Sequence, residues 1–369
     1  MACACQPEKH QLSGMFGQAD VQSDANYDLS DIQASGELIA TALSGPDTYY
    51  EYRGEGFGVE YEMAKSFAST IGARLRVEIA SDSAEMQRKL ETGEADLALT
   101  QPHWQTRTSS PKLAEAIEAW WQPDLRQQIQ EAMRKRLAPD KRVRRVSRPP
   151  MLSRAQGIIS RYDALFQRHA SVAGMDWRLL AAQCYQESAF DPKAVSWAGA
   201  QGLMQIMPGT AAHLGLAPSA VYEPAQNIAA AARYLAELQA HFADIRERHE
   251  RICFVLAAYN GGATHVRDAM ALTSKHGGNP HRWNEVDRYI RLLSEPRYYR
   301  DPVVKAGYLR GSETSAYVGQ ILARWASYRG AAHGMPPAAK PGKNGTADGK
   351  ETRSPRIRPR EQFLNDSLR

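Results

Sequence analysis

A glutamate near the end of an apolar helical stretch is the candidate in this sequence for acid–base chemistry. Apolar side chains recur at helical spacing through residues 177–190, and Glu187 lies beside the face that they form. The pair Asp191 and Pro192 is expected to stop this helix. A carboxyl group at the edge of an apolar surface is partly desolvated, which favours the neutral form that a general acid needs. This helix taken alone fits an ordinary solvated glutamate, so the interpretation depends on the rest of the chain.

Amide and phenol side chains are concentrated in three further segments. Residues 199–208 form a turn-rich stretch with two glutamines, and residues 257–262 end an apolar helix with Tyr-Asn-Gly-Gly. Residues 313–318 begin the final helix with a tyrosine in its second turn. Such groups at helix ends and in loops can hydrogen-bond sugar hydroxyls and acetamido groups while aromatic faces pack on the rings. The three segments therefore predict a saccharide groove.

These segments together resemble the family 1 lytic transglycosylases, which have the goose-type lysozyme fold. The motifs that carry the resemblance are Glu187 with Ser188, residues 202–205, residues 258–262, and Glu313 with Thr314 and Tyr317. Each motif alone is weakly specific, but four in this order and spacing are strong. The resemblance covers roughly residues 160–330. Residues 280–308 further resemble a membrane-bound subgroup that carries a family 3 solute-binding domain before its catalytic domain.

The resemblance implies a single catalytic carboxyl group, Glu187. It would protonate the oxygen that links N-acetylmuramic acid (MurNAc) to N-acetylglucosamine (GlcNAc), and then take the proton of the muramic C6 hydroxyl to close a 1,6-anhydro ring. Ordinary glycosidases use two carboxylates. Asp191 is near in sequence, but its place before Pro192 favours a helix-end cap. The residues that the resemblance assigns to substrate binding are Ser188, Gln201, Met204, Gln205, Tyr259, Asn260 and Tyr317. No metal and no cofactor are expected.

The first third of the chain predicts a small α/β unit. Strands are expected at residues 37–43, 75–79 and 96–100, and helices at residues 59–71 and 83–91. Residues 28–36 are interpreted as a polar entry, and residues 54–58 as a glycine-rich turn. The unit resembles the first lobe of family 3 solute-binding proteins. Soon after Thr100, residues 104–116 already resemble that family's returning strand and final helix. A second lobe is thus missing, which puts ligand binding in doubt.

The predicted fold class is a small α/β N-terminal domain, similar to a single solute-binding lobe, followed by a mainly α, lysozyme-like catalytic domain. The predicted segments are a tether at 1–28, the truncated solute-binding-like domain at 29–122, a basic linker at 123–150, the lytic transglycosylase domain at 151–330, and a disordered basic tail at 331–369.

Cysteine usage and charge add a little. The chain of 369 residues carries a net charge of +5, which suits an anionic polymer but is common among soluble proteins. Cys184 and Cys253 lie in apolar helical stretches and are expected to be buried. No secretory signal is visible, yet Cys3 and Cys5 precede a polar tether, as in a lipoprotein. We therefore expect a periplasmic protein attached to the outer membrane through one of these cysteines.

Three alternatives remain open at this point. A lysozyme would use the same fold and substrate with water as the acceptor, and a non-catalytic wall-binding or sensing protein would keep the groove without the chemistry. A solute-binding sensor would need the missing lobe. Nucleic acid is not expected as a partner, since only the basic runs of the linker and tail would suggest it. The favoured partner is the glycan strand of peptidoglycan.

Overall fold

The computed structural model describes residues 27–137 and 151–332. The first of these ranges forms a small α/β unit with one four-stranded sheet and one hairpin. Its elements in chain order are α1 (Leu29–Ser35), β1 (Glu37–Leu43), β2 (Tyr50–Tyr52), β3 (Glu55–Phe57), α2 (Val59–Thr70), β4 (Arg74–Ala80), α3 (Ser83–Glu91), β5 (Leu97–Ala98), β6 (Gln105–Thr106), α4 (Pro111–Trp120) and α5 (Leu125–Leu137).

The sheet has the strand order β4–β1–β5–β6 and is mixed. β1 pairs in parallel with β4 and β5, while β6 returns antiparallel to β5. Parallel neighbours need a crossover connection, which α2 and α3 supply. Met63 and Phe67, one helical turn apart on α2, are buried against the sheet. The predicted strands 37–43 and 75–79 and the predicted helices 59–71 and 83–91 are confirmed within one residue at each end.

Three local predictions need correction. Residues 28–36 were expected as a polar entry, but they contain helix α1, which Asp28 caps through a capping box with Asp31. The strand expected at 96–100 is paired only at Leu97–Ala98, because the chain turns back into β6. The glycine-rich turn expected at 54–58 includes β3, the second strand of a hairpin.

This hairpin, formed by β2 and β3, carries the turn Arg53–Gly54 at its tip. Both turn residues have positive φ, 54° and 80°. Two-residue hairpin turns of this kind match the twist of the strands and usually contain Asn-Gly or Gly-Gly. Arginine in the first position is unusual, because a side chain at positive φ costs free energy. The hairpin tip therefore carries an arginine, Arg53, at a position that turn preferences alone would give to asparagine or glycine.

The second described range is mainly helical. Its helices are α6 (Asp163–Ala173), α7 (Trp177–Ser188), α8 (Pro208–His213), α9 (Pro224–His241), α10 (Arg248–Gly261), α11 (Ala263–Lys275), α12 (Trp283–Leu292), α13 (Pro296–Tyr299) and α14 (Gly311–Ala332). Every residue of α10 from Ile252 to Gly261 is buried, so this helix lies at the centre of the helical core. Helices α9, α11, α12 and α14 pack around it. Cys184 and Cys253 are free and buried, as expected.

The two units touch at the carboxyl end of β1 as well as at the hairpin. The Tyr308 amide donates a hydrogen bond of 2.8 Å to Ser44 Oγ. Gly307 has φ 77°, and a Cβ there would lie 2.1 Å from Ser44 Oγ. The ring of Tyr50 on β2 meets Tyr308 edge-on at 5.2 Å. A glycine is thus required at position 307, where the helical unit contacts Ser44 at the end of β1.

Several predictions fall outside the described residues. These concern Cys3 and Cys5, residues 138–150 of the basic linker and nearly all of the basic tail. Within 27–137 and 151–332, no helix combines the length and apolar character needed to cross a bilayer.

Candidate active site

Glu187 lies in the last turn of α7 and both of its carboxylate oxygens are hydrogen-bonded. The helix ends because Ala189 adopts a left-handed conformation, with φ 50°. The Glu187 side chain is only 2% exposed. Tyr317 Oη donates to Oε1 at 2.6 Å, and Arg53 Nη1 donates to Oε2 at 3.0 Å. Tyr317 is one of the substrate-binding residues that the resemblance assigned, whereas Arg53 was not singled out from the sequence.

Tyr317, on α14, is held in place from its other side by α7. Gln183 Nε2 donates to Tyr317 Oη at 3.2 Å, one helical turn before Glu187. Burial and the adjacent Glu187 charge raise the pKa of the Tyr317 phenol well above its usual value. The phenol therefore keeps its proton and acts as a fixed donor that orients Oε1.

The loop 201–206 beside α7 is pinned by a buried asparagine. Asn227 Oδ1 accepts from the Met204 amide at 2.8 Å, and its Nδ2 donates to Val221 O at 2.7 Å. Gly202 packs so closely that a Cβ would lie 2.4 Å from Asn227 Nδ2. Ser188 Oγ donates to the Leu203 carbonyl at 2.7 Å. Ser188 thus joins the loop to the helix that carries Glu187.

Within this loop, Gln205 has positive φ, 50°, and its amide is used internally. Its Nε2 donates to the Ala194 and Gly202 carbonyls at 3.0 and 2.9 Å. Gln201 pairs through its main chain with Val195 and Ile206. Side-chain and main-chain bonds together therefore fix the backbone of the loop next to α7.

The end of α10 forms the opposite side. Tyr259 Oη donates to the Met204 carbonyl at 2.8 Å. Asn260 Oδ1 accepts from Thr314 Oγ1 at 2.9 Å, and a Cβ at Gly261 would approach Thr314 Oγ1 to 2.9 Å. α10 therefore packs tightly on both the 201–206 loop and the start of α14.

The predicted binding residues thus divide into two groups. Tyr317 contacts Glu187 directly, while Gln205 and Tyr259 line a cavity next to it. The remaining members hold the loop and helix ends in place through the bonds given above: Ser188, Gln201, Met204 and Asn260. Asp191 Oδ1 accepts from the Lys193 amide at 3.1 Å, a local turn contact just after the end of α7. Glu313, which belongs to the motif at the start of α14, pairs with Arg310 in the first turn of that helix.

The β2–β3 hairpin occupies the space in front of Glu187. Tyr52 stacks on Trp197 with ring centroids 5.3 Å apart and planes at 26°, and Phe57 meets the same indole at 5.1 Å. Arg53 at the tip is 12% exposed. Burial alone would lower the pKa of Arg53, but the carboxylate of Glu187 outweighs it and raises the pKa. The Arg53 guanidinium therefore stays charged beside Glu187.

Sequence reasoning missed three residues here: Arg53, Trp197 and His265. Arg53 precedes the segment 54–58, which was interpreted only as a glycine-rich turn, and its partner Glu187 lies 134 residues away in the chain. Trp197 precedes the first predicted groove segment by two residues, and a tryptophan beside such a loop is a usable signal. His265 follows the Tyr-Asn-Gly-Gly motif and is described below. Within the described ranges, no group of three His, Cys, Asp or Glu side chains is placed to hold a metal.

Comparison with known proteins agrees with the motifs. Residues 164–281 match the family described as Transglycosylase SLT domain. The chain is 43% identical over 170 residues to "Membrane-bound lytic murein transglycosylase F" of Salmonella arizonae, which covers 46% of this chain and 32% of that protein. The protein of the same name from Desulfosudis oleivorans is 40% identical over 164 residues, or 44% of this chain and 35% of that protein.

Among solved structures, the 70 kDa soluble lytic transglycosylase of Escherichia coli is 30% identical, with a TM-score of 0.33 over 47% of this chain and 25% of that one. This chain spans about a third of the length of the curated relatives that it matches. The match to the SLT domain and the two curated relatives confirm the predicted resemblance: the helical half of this chain is similar to the SLT-domain lytic transglycosylases.

Proposed function

We propose that this chain is a peptidoglycan lytic transglycosylase with Glu187 as its single general acid and base. It cleaves the MurNAc-β-1,4-GlcNAc bond without water and leaves 1,6-anhydroMurNAc ends. The observation that carries this proposal is the buried Glu187 held by Tyr317, inside a segment that matches the SLT domain. The names of the matched relatives, which are lytic murein transglycosylases, support the same substrate.

The geometry assigns different tasks to the two carboxylate oxygens. Oε1 is fixed by the Tyr317 phenol, so Oε2 is the oxygen that faces the substrate. In protonated form, Oε2 gives its proton to the glycosidic oxygen as the bond breaks. The muramic acetamido group then stabilises the positive charge at C1. Oε2 takes the proton of the C6 hydroxyl as O6 bonds to C1, so no water is consumed. Proton transfer in both directions thus passes through one atom.

The described conformation is a closed one. Arg53 occupies the position of the reacting sugar against Oε2, the oxygen that must carry the proton in the first step. Tyr52 covers Trp197, an aromatic face on which a sugar ring would stack. Catalysis therefore requires the hairpin to withdraw from the groove.

The remaining parts of the proposal concern organisation and location. The α/β unit corresponds to a single solute-binding-like lobe at 29–122, followed by the linker, the catalytic domain at 151–330 and the basic tail. The protein works in the periplasm on glycan strands and is attached to the outer membrane through a lipid on Cys3 or Cys5. The membrane-bound relatives support this location. Palmitate labelling of the full-length protein, with each cysteine replaced by serine in turn, tests the anchor.

Digestion of purified sacculi tests the activity. The full chain is compared with Glu187→Gln and with a matched control, Glu115→Gln, which changes an exposed glutamate on α4. Muropeptides are analysed by mass spectrometry after borohydride reduction. We expect ends that resist reduction from the parent and the control, and none from Glu187→Gln.

The other outcomes separate the alternatives. Reducible ends lost in Glu187→Gln would make the protein a lysozyme-type hydrolase. If neither the parent nor Arg53→Ala releases soluble products while both still bind sacculi, the protein would be a wall-binding or sensing protein. Anhydro ends that persist in Glu187→Gln would remove the role of Glu187 as acid and base.

A further inference from the structure

A cavity of about 180 Å³ lies between the hairpin and the helical unit, beside the ion pair of Arg53 and Glu187. Arg53 and Glu51 close it on the hairpin side. Gln205, Tyr259 and the start of α11 line it on the other side. On the helical side no lining residue carries an acidic group. Withdrawal of the hairpin would open this space to the groove.

The N-terminus of α11 faces the cavity. The helix has 13 residues, begins after Gly262 and has no side-chain cap. Residues 261–265 all line the cavity. The first amides of a helix have no acceptor within the helix, and they carry the positive end of its dipole. Such an end binds an anionic oxygen well, although it is not by itself evidence of a ligand.

His265, in the first turn of α11, supplies the independent observation. It is 2% exposed and lines the cavity. Among the described residues, neither ring nitrogen makes a hydrogen bond of normal geometry, although the Glu51 main chain of the hairpin lies near the ring. Burial lowers the pKa of His265 to about 4, so the ring is neutral at neutral pH and offers one N–H donor. Buried polar groups are nearly always paired, and each exception calls for an explanation.

The hairpin indicates what the missing partner is. Tyr52 covers the indole where a sugar ring would stack, and Arg53 stands where the reacting sugar would meet Oε2. The neighbouring main chain of Glu51 presents an acceptor oxygen towards His265. Groups of the hairpin thus stand where groups of a substrate would lie, and the hairpin group beside His265 is an oxygen acceptor.

We propose that the cavity at the start of α11 is a subsite for a carboxylate carried by the muramic acid, bound by the first-turn amides and the His265 ring N–H. This inference rests on the proposed function, since it takes the substrate to be a muramoyl glycan. Two sources offer the same group. A peptide-free muramic acid has a free lactyl carboxylate, while in a peptide-bearing one the lactyl group is an amide and the carboxylates belong to the stem peptide.

Binding to the full-length Glu187→Gln variant, measured by calorimetry, tests the subsite without chemistry. The probes are GlcNAc–MurNAc, GlcNAc–MurNAc-tetrapeptide, and chitotriose, which has no carboxylate. His265→Leu is added to this background, and His169→Leu on α6 is the matched control. We expect His265→Leu to weaken at least one carboxylate-bearing probe about tenfold or more and to leave chitotriose unchanged. The probe that loses most identifies the source.

Thermal unfolding distinguishes binding from support of the fold. Leucine is apolar and of similar size, so removal of two unpaired nitrogens should leave the melting temperature unchanged or raise it. The proposal is overturned if binding is unchanged, if all three probes weaken equally, or if no probe binds at millimolar concentration. A sacculus digest without anhydro ends would remove the proposed function and leave this binding result standing.

Discussion

Replacement of Arg53 by alanine should activate the proposed enzyme. In the closed conformation this change leaves Glu187 Oε2 without its partner at 3.0 Å. Removing one member of a buried pair costs about 3–5 kcal/mol. Arg53 is 12% exposed, so water can reach part of the site and screen the loss. We therefore take about 2–3 kcal/mol as the destabilisation of the closed conformation.

This destabilisation of the closed conformation increases the fraction of molecules with an open groove. Where the closed conformation predominates, 2–3 kcal/mol raises the open fraction by about 30- to 150-fold. The release of muropeptides from sacculi should rise by the same factor until the open form predominates. Arg53→Lys, which keeps the charge without the planar fork, should give a smaller rise. Arg74→Ala is the matched control, because its pair with Glu37 is exposed and should change the rate less than twofold.

The result that would refute this reasoning is a folded Arg53→Ala protein with the parental rate or a lower one. A parental rate would mean that the ion pair does not control access. A rate as low as that of Glu187→Gln would mean that Arg53 assists the chemistry. Circular dichroism and the melting temperature of each variant establish that the proteins compared are folded.

Two other predictions follow from the catalytic helix and its loop. Tyr317→Phe removes the donor at 2.6 Å from Glu187 Oε1 and should lower kcat by about 10- to 100-fold, while Tyr222→Phe, at a 36% exposed position, should not. The melting temperature of Tyr317→Phe should stay near the parental value. An unchanged kcat of this variant would contradict the orienting role of Tyr317. Asn227→Ala unpairs the Met204 amide and the Val221 carbonyl, so it should cost about 2–4 kcal/mol and lower the melting temperature by about 5–15 °C. The control is Asn284→Ala at an exposed position of α12, and equal melting temperatures of the two variants would count against the pinned loop.

The sequence predicted those elements whose local pattern agrees with their final environment. β1 and β4 were recognised by apolar residues at strand spacing, and α2 by Met63 and Phe67 on one face. The glutamate on α7 and the tyrosine on α14 were recognised through motif order. Their direct contact could not be derived from spacing, because it depends on how α7 and α14 pack.

The hairpin was missed for a physical reason. Arg53 and Gly54 form a turn with positive φ that usually favours asparagine before glycine, so the local signal is weak. The contacts that hold the tip, with Glu187 and Trp197, lie far along the chain. His265 was missed because a histidine at the start of a helix carries no pattern that distinguishes a buried ring from a solvated one.

The backbone of the hairpin tip is fixed by its own turn and not by the groove. The turn at Arg53 and Gly54 and the pairing from Tyr50↔Phe57 to Tyr52↔Glu55 do not involve Glu187. The tip can therefore enter and leave as a preformed unit, with no local refolding. Motions of whole units take microseconds to milliseconds, whereas enzymes commonly turn over on the order of 1–1,000 times per second. Closed and open molecules would then interchange within one catalytic cycle. A preparation of the protein should therefore show one rate, which is set by the average fraction of open molecules.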